Sequence, residues 1–356
     1  MASPHLPGDR PPARSTPLAA EPKRTLETGG IWLRVGISGG LLALLFGLVD
    51  LDALLRVTAA ADPLLLVMMF VLMVAERLFA AFRWMVLLRV PEPRVTFGPV
   101  LRVTLVSNFV GSFLPGGVGI EILRVYGLSR MMRDLSLALS SVLVERLCGL
   151  LALLLLITIG MLVAPIGLPA VIEGLVAAGA LGLAIAGAGL LLPGPRGRLR
   201  RLLQRAPMRR LQAKFAGLDA RLDTYGRRPD ALMVSLGLAS AFQLLRVLTV
   251  AVGAAALRIE AAPELFVLLV PVGILVALLP ISLGGLGPRE ATYVGLMGLA
   301  GIAPEPALVL ALTREAMNLA TTIPGAIIYA LGPAPGQASS AVGPASAATS
   351  VGPAAE

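Results

Sequence analysis

The amino-acid sequence predicts an all-α polytopic membrane protein with six full transmembrane helices and two opposed re-entrant helical hairpins in an inverted-repeat arrangement. Three observations lead there. Of 356 residues, 56% are hydrophobic and 14% charged, with a mean hydropathy of +0.85, whereas a soluble domain averages about 45–50% apolar and about 25% charged. Several mostly apolar runs reach about 20 residues, enough to cross a hydrocarbon core about 30 Å thick. Finally, Gly-Gly-x-Gly followed by a carboxylate occurs twice in apolar surroundings, in "GSFLPGGVGIEILR" (residues 111–124) and in "LLPISLGGLGPRE" (residues 278–290).

Taken in order, residues 1–30 are Pro-rich and polar, and residues 333–356 are rich in Pro, Ala, Gly and Ser without a basic residue. Both are expected to be disordered tails flanking a membrane domain over residues 31–332. The run 31–49 begins too far in for an ordinary cleaved signal peptide and reads as the first span. An acidic turn with Asp50, Asp52 and Asp62 precedes the second span, 63–88. The run 99–114 is short, stops at Pro115-Gly116-Gly117 and resumes over 120–132. Full spans at 135–164 and 168–192 lead to a basic loop, 193–230. Then come a span at 231–257, a second interrupted segment from Glu264 through Gly284-Gly285 to Ala300, and a last span at 306–331.

The net charge is +9, and eleven Lys/Arg of the chain fall in 193–230 against Asp219, Asp223 and Asp230. Basic loops of this length stay cytoplasmic. With the N-terminus inside, that loop returns to the cytoplasm only if 99–132 enters and leaves on one side. The second interrupted segment then dips in from the outside, and both termini are cytoplasmic, as expected for a multi-pass plasma-membrane protein. Broken helices at the interface of inverted repeats are where secondary transporters place their substrate site. The loop's apolar spacing, including Leu199, Leu203, Leu211, Phe215, Leu218 and Leu222, suits a helix lying on anionic lipid. No interleaved aromatics accompany the charge, so nucleic acid is not expected as a partner.

One cysteine, Cys148, and one histidine, His5, exclude a disulfide framework and a Cys/His zinc site. Cys148 reads as a small packing residue. A Ser-His-Asp triad or a His general acid is not available from a lone histidine in the N-terminal tail. Neither a cofactor nor a metal is expected.

The charges within or beside apolar segments are seven arginines (Arg77, Arg83, Arg124, Arg146, Arg246, Arg289, Arg314) and five glutamates (Glu76, Glu121, Glu145, Glu290, Glu315). Each is expensive in a bilayer and needs a polar interior or a partner. The surplus of arginine fits an anionic guest such as a phosphate. From Glu121 to Glu145 is 24 residues, and from Glu290 to Arg314 is also 24, with Glu315 one further on. Breaks at Gly116, Gly117, Gly119 and at Gly284, Gly285, Gly287 expose helix N-termini with free N–H donors. Two hairpin tips meeting at one cavity account for the doubled motif. In that reading Arg124, Arg289 and Arg314 contact phosphate, while Glu121, Glu145, Glu290 and Glu315 orient the arginines or titrate, and Arg146 completes the set. The alternative is that the Arg/Glu pairs are only intramembrane staples and the glycines only close helix packing.

The segments "SNFVGSFLPGGVGIEILRVYGLSR", "SSVLVERLCGLLALL" and "LLPISLGGLGPREATYVGLMGLAGIAPEPALVLALTREAMNLATTIPGA" resemble the lysylphosphatidylglycerol synthase transmembrane family, also called flippase-like domain proteins. The resemblance covers roughly residues 31–331, and the Pro-x-x-x-Gly-Gly-x-Gly-x-Arg-Glu segment is its most specific part. It implies a lipid flippase-like membrane domain. The soluble aminoacyl-transfer domain of the two-part synthases has no counterpart in these residues, so aminoacyl transfer is not implied and the chain is not expected to be an enzyme. The expected function is movement of an anionic lipid or a polyprenyl-linked precursor between leaflets. The alternatives are a non-transporting partner of a cell-envelope synthase and a membrane-embedded lipid-modifying transferase. Such a synthase, or a second copy of the chain, is the candidate protein partner.

Overall fold

The computed structural model describes residues 51–112, 118–164, 209–278 and 285–331, with isolated positions between them. Every described regular element is a helix: α1 (Leu51–Ala59), α2 (Pro63–Leu88), α3 (Phe97–Ser112), α4 (Val118–Met132), α5 (Leu135–Val163), α6 (Arg209–Gly226), α7 (Pro229–Ala256), α8 (Pro263–Ala277), α9 (Pro288–Leu299), α10 (Pro304–Ala320) and α11 (Ile323–Leu331). Of these, α2, α5 and α7 are long and apolar enough to cross a membrane. The expected first span 31–49 and both tails lie outside the described residues, and only scattered helical positions of 168–192 are described.

The long helices reverse the amphipathicity of a soluble bundle. On α2, Val67, Val71, Val74, Leu78 and Phe82 are exposed, while Met69, Met73, Glu76, Arg83 and Leu87 are buried. At 3.6 residues per turn these are two opposite stripes of one helix. On α5, Leu139, Leu143, Leu155 and Ile159 face out, whereas Ser141, Glu145, Cys148 and Ala152 face in. On α7, Leu244 and Leu248 face out, and Phe242, Gln243 and Thr249 face in. Apolar side chains outside with charge inside is the arrangement a lipid solvent selects.

Helix starts are set locally. Asp62 caps α2, accepting from the Leu64 N–H at 2.8 Å and the Leu65 N–H at 3.3 Å, and Asp134 caps α5, accepting from the Leu137 N–H at 2.9 Å. The corresponding helices α7 and α10 begin at Arg228 and Ala303 without a side-chain cap, and have proline in the first turn instead.

The packing is duplicated. In the first half α2 packs on α3, α3 on α4 and α4 on α5; in the second, α7 packs on α8, α8 on α9 and α9 on α10. Between halves α2 lies along α7, α5 against α8, and α3 against α11, which continues α10. Exchanging the halves maps this pattern onto itself. Each of the last two crossings runs through a glycine. A Cβ on Gly160 of α5 would lie 2.7 Å from Leu268 Cα of α8, and one on Gly325 of α11 would overlap the Leu105 carbonyl of α3. Small residues let helix backbones approach closely in lipid.

Three sequence expectations are corrected. The acidic turn before the second span is largely helical: α1 covers it, with Asp52 in its first turn and Arg56 in its last, matching the helix dipole. The last span, 306–331, divides into α10 and α11 at Thr321 and Thr322. Their hydroxyls donate to the Asn318 and Leu319 carbonyls at 2.7 Å each, so the side chains compete for helix acceptors at the break. Residues 209–226 of the basic segment form α6, but the described end of its apolar face does not lie on lipid. Leu222 and Tyr225 are buried with Leu87, Val144, Cys148 and Ala239, and Arg221 pairs with Asp134 at 2.5 Å.

Candidate functional site

A polar cavity of about 200 Å³ lies between the halves, bounded by α2, α3, α4, α5, α7, α8 and α10. Among the described residues six arginines line it (Arg77, Arg83, Arg124, Arg146, Arg246, Arg314) against three glutamates (Glu76, Glu121, Glu145). Neutral hydrogen-bonding groups of Thr104, Asn108, Gln243 and Asn318 complete the polar wall. Among the described residues no three His, Cys, Asp or Glu side chains come together to hold a metal ion.

The charges are fixed in a definite order. Glu145 on α5 receives Arg83 from α2 at 2.7 Å and also pairs with Arg124 from α4. Arg124 lies 3.9 Å over the ring of Trp84, a fully buried side chain of α2. The neighbouring Arg146 pairs back to Glu121 on α4. Across the cavity Glu76 accepts from the Thr249 hydroxyl at 2.7 Å and faces Arg246 at 3.7 Å. Phe242 sits between Arg83 and Arg246, 5.1 and 4.9 Å from its ring centre, so one aromatic face helps to position two cations. Arg77 is held by neutral groups, donating to the Thr321 hydroxyl at 3.1 Å and to Asn318 Oδ1. Arg314 is 6% exposed and makes no ion pair or hydrogen bond with another described residue.

The structure brings Glu121, Arg124, Glu145, Arg146 and Arg314 of the sequence-derived set to this one cavity. It puts the rest of the second hairpin's charges just behind it. Arg289 pairs with Glu315, and Glu315 accepts from Asn318 Nδ2 at 3.2 Å, which links the hairpin to the cavity wall through Arg77's partner. Glu290 is fully buried and accepts the Gly287 N–H at 2.6 Å, closing the first turn of α9. Gly285 and Gly287 have φ of +83° and +89°, a conformation glycine reaches without strain, and they carry the chain into Pro288. Gly119 is buried at the start of α4, where a Cβ would meet Leu114. Gly116, Gly117 and Gly284 lie outside the described residues.

Sequence reasoning recognised Glu76, Arg77, Arg83 and Arg246 as intramembrane charges but left them off the site because they stand outside the doubled motif. Thr104, Asn108, Gln243 and Asn318 were not singled out at all. A signal existed: Thr104 and Asn108 are four apart on α3, as are Arg314 and Asn318 on α10, so each pair marks one helix face in an apolar run.

A family model described as the lysylphosphatidylglycerol synthase TM region matches residues 31–325, and the chain belongs to that family. No curated protein and no solved structure matches the chain.

Proposed function

We propose that this member of the lysylphosphatidylglycerol synthase TM-region family is a lipid transporter, which moves an anionic lipid or a polyprenyl-linked precursor between leaflets. The observation that carries the reading is the arginine-rich cavity between two halves whose packing pattern is duplicated. A transporter needs a polar site near mid-membrane that two similar halves can expose alternately. The cavity suits a headgroup and not a whole lipid, since pockets for drug-sized molecules run from about 300 Å³ upward. Apolar tails would stay in the bilayer, against the exposed leucines and valines of α2 and α7.

The topology that goes with it has six spans, with α3/α4 and α8/α9 as opposed hairpins. Both termini and the segment 193–230 lie on the cytoplasmic face of the plasma membrane. Externally added thiol reagent should label cysteines placed at Asp52 and Pro263 in a Cys148→Ser background and should miss one at Arg205. Labelling at Arg205 would refute the arrangement.

We read the chain as a carrier and not as a transferase because the described cavity lining has twice as many arginines as glutamates, which suits holding an anion. The test is reconstitution of the full chain into vesicles with head-labelled anionic lipids. Loss of the protected inner-leaflet signal should require the protein and fall at least about tenfold in Arg124→Gln, the loss expected when a charge-assisted contact of about 1.5–3 kcal/mol is removed. Protein that reconstitutes but leaves every labelled lipid in its leaflet would favour the non-transporting partner of an envelope synthase.

A further inference from the structure

We infer that the cavity selects a headgroup bearing a doubly charged phosphate, either a terminal phosphomonoester or a diphosphate, over a singly charged phosphodiester. This rests on the carrier reading above and narrows its substrate class. The argument is a charge balance at named residues. Glu121 neutralises Arg146, Glu76 neutralises Arg246, and Glu145 can neutralise only one of its two partners, Arg83 and Arg124. Among the described residues three guanidinium charges remain: one of that pair, Arg77 and Arg314. Including Arg289, Glu290 and Glu315 behind the wall adds a neutral pair and one further carboxylate, which leaves a surplus of two. Counted either way, a single negative charge does not balance the site.

Arginine retains its charge even where burial opposes it, so this surplus cannot be relieved by losing protons as a lysine's could. A buried charge without a partner is among the costliest features a fold can hold. Arg314, with 6% exposure and no ion pair or hydrogen bond among the described residues, lines the cavity on α10, where Glu76, Glu290 and Glu315 attract it only from beyond ion-pair distance. The Nε donors of Arg83 and Arg124 are buried without a hydrogen-bond partner among the described residues, and that of Arg246 has only Glu76, at 3.7 Å. The protein therefore bears an electrostatic cost that a suitable anion removes. The volume of about 200 Å³ requires that anion's charges to lie close together. A phosphomonoester carries about −1.5 to −2 near neutral pH, and a diphosphate holds two charges on adjacent phosphates, whereas a phosphodiester carries one.

Two lipids with the same tails separate the cases. The full chain, purified in uncharged detergent, is titrated with phosphatidic acid, a phosphomonoester, and with phosphatidylglycerol, a phosphodiester. Phosphatidic acid should bind at least about tenfold more tightly, a difference of about 1.4 kcal/mol. Its affinity should rise with pH through the second phosphate ionisation near about pH 6, while phosphatidylglycerol stays flat. Arg314→Gln should abolish most of this preference, weakening phosphatidic acid far more than phosphatidylglycerol. Because it breaks no ion pair or hydrogen bond with a described residue, it should lower the thermal unfolding midpoint far less than Glu145→Gln. Arg314→Lys keeps the charge and should retain the preference, and Arg102→Gln, on an exposed part of α3 outside the cavity, should be neutral.

Inorganic diphosphate is the arm for a free anion. If it displaces phosphatidic acid, the headgroup alone suffices and a soluble anion is a possible source; if phosphatidic acid binds and diphosphate does not compete, the source is lipid. Equal binding of the two lipids, or a preference untouched by Arg314→Gln in folded protein, overturns the inference. The carrier reading is judged separately, because binding needs no movement between leaflets. Indiscriminate movement of singly charged lipids in vesicles would leave the carrier standing and remove the phosphate preference. Discriminating binding without any movement would do the reverse.

Discussion

The two halves pack alike but are charged differently, and the position 24 residues after each hairpin glutamate shows how. In the first half that position is Glu145, the hub that gathers Arg83 and Arg124 into a buried three-charge cluster. In the second half it is Arg314, which has no ion pair or hydrogen bond among the described residues. The second half's carboxylates are committed elsewhere: Glu315 to Arg289, and Glu290 to the backbone of its own helix turn. Duplicated backbone geometry therefore does not produce a duplicated electrostatic environment. At this position the first half places a carboxylate that holds two cations, and the second half places a cation facing the cavity.

The largest test of that contrast removes each charge in turn. Glu145→Gln strands two buried arginines and should cost about 3–5 kcal/mol, the usual result of breaking a buried ion pair from one side. It should appear as poor expression or a strongly lowered unfolding midpoint in detergent. Arg314→Gln, at the equivalent place in the other half, breaks no ion pair with a described residue and should lower that midpoint much less. Equal destabilisation by the two changes would mean that Arg314 has a structural partner and that the halves are electrostatically alike.

A second comparison concerns the backbone crossings, where the halves should behave the same. Gly160→Ala would push a methyl group onto Leu268, and Gly325→Ala would push one onto the Leu105 carbonyl. The obstacle in both places includes backbone, which cannot rotate away, so each should cost about 1–3 kcal/mol in overpacking. Gly295 on α9 is the control. Nothing lies within 4 Å of a Cβ there, so Gly295→Ala should be neutral or stabilising by about 0.5–1 kcal/mol through its helix propensity. If Gly325→Ala were tolerated while Gly160→Ala was not, α11 would not be the counterpart of the distal part of α5.

Much of this was legible in the sequence, for reasons that can be localised. Helix α2 was readable at both ends because Asp62-Pro63 is a start signal and the apolar run stops at Arg89. Both helix breaks were readable because Gly-Gly-x-Gly cannot continue a helix cheaply. The charges were readable as a set, since each is anomalous in an apolar run. Their pairing was not, because it depends on which helix faces reach each other: nothing local tells that Glu145 meets Arg83 from 62 residues away. The break between α10 and α11 falls just before Ile323-Pro324, a helix-break signal that reading 306–331 as one span passed over. The docking of α6 was hidden because an amphipathic helix has the same pattern whether its apolar face meets lipid or protein.

The smallest expected effects lie at the helix starts, where the halves differ again. Asp134 caps α5 and also holds Arg221 of α6, whereas Ala303 starts α10 without a side-chain cap. Burial alone would raise the Asp134 carboxyl, but the Leu137 N–H bond and the Arg221 guanidinium together hold it below the ordinary carboxylate range. A carboxylate depressed on folding stabilises the fold above its unfolded-state value and loses that contribution as pH falls through the lowered one. Asp134→Ala should therefore cost about 1 kcal/mol at neutral pH. The gap from the parent protein should stay constant between about pH 7 and 5 and close below about pH 4, where the parent's carboxyl also becomes neutral. In the other half Ala303→Ser supplies the missing acceptor. Its gain should be smaller, because Pro306 has no N–H to offer and only the Glu305 N–H remains to be capped. A hydroxyl does not titrate in this range, so that gain should be the same at every pH. Thermal unfolding of the three proteins across the series separates the outcomes, and a pH-independent gap for Asp134→Ala would mean that the cap acts through packing and not through its charge.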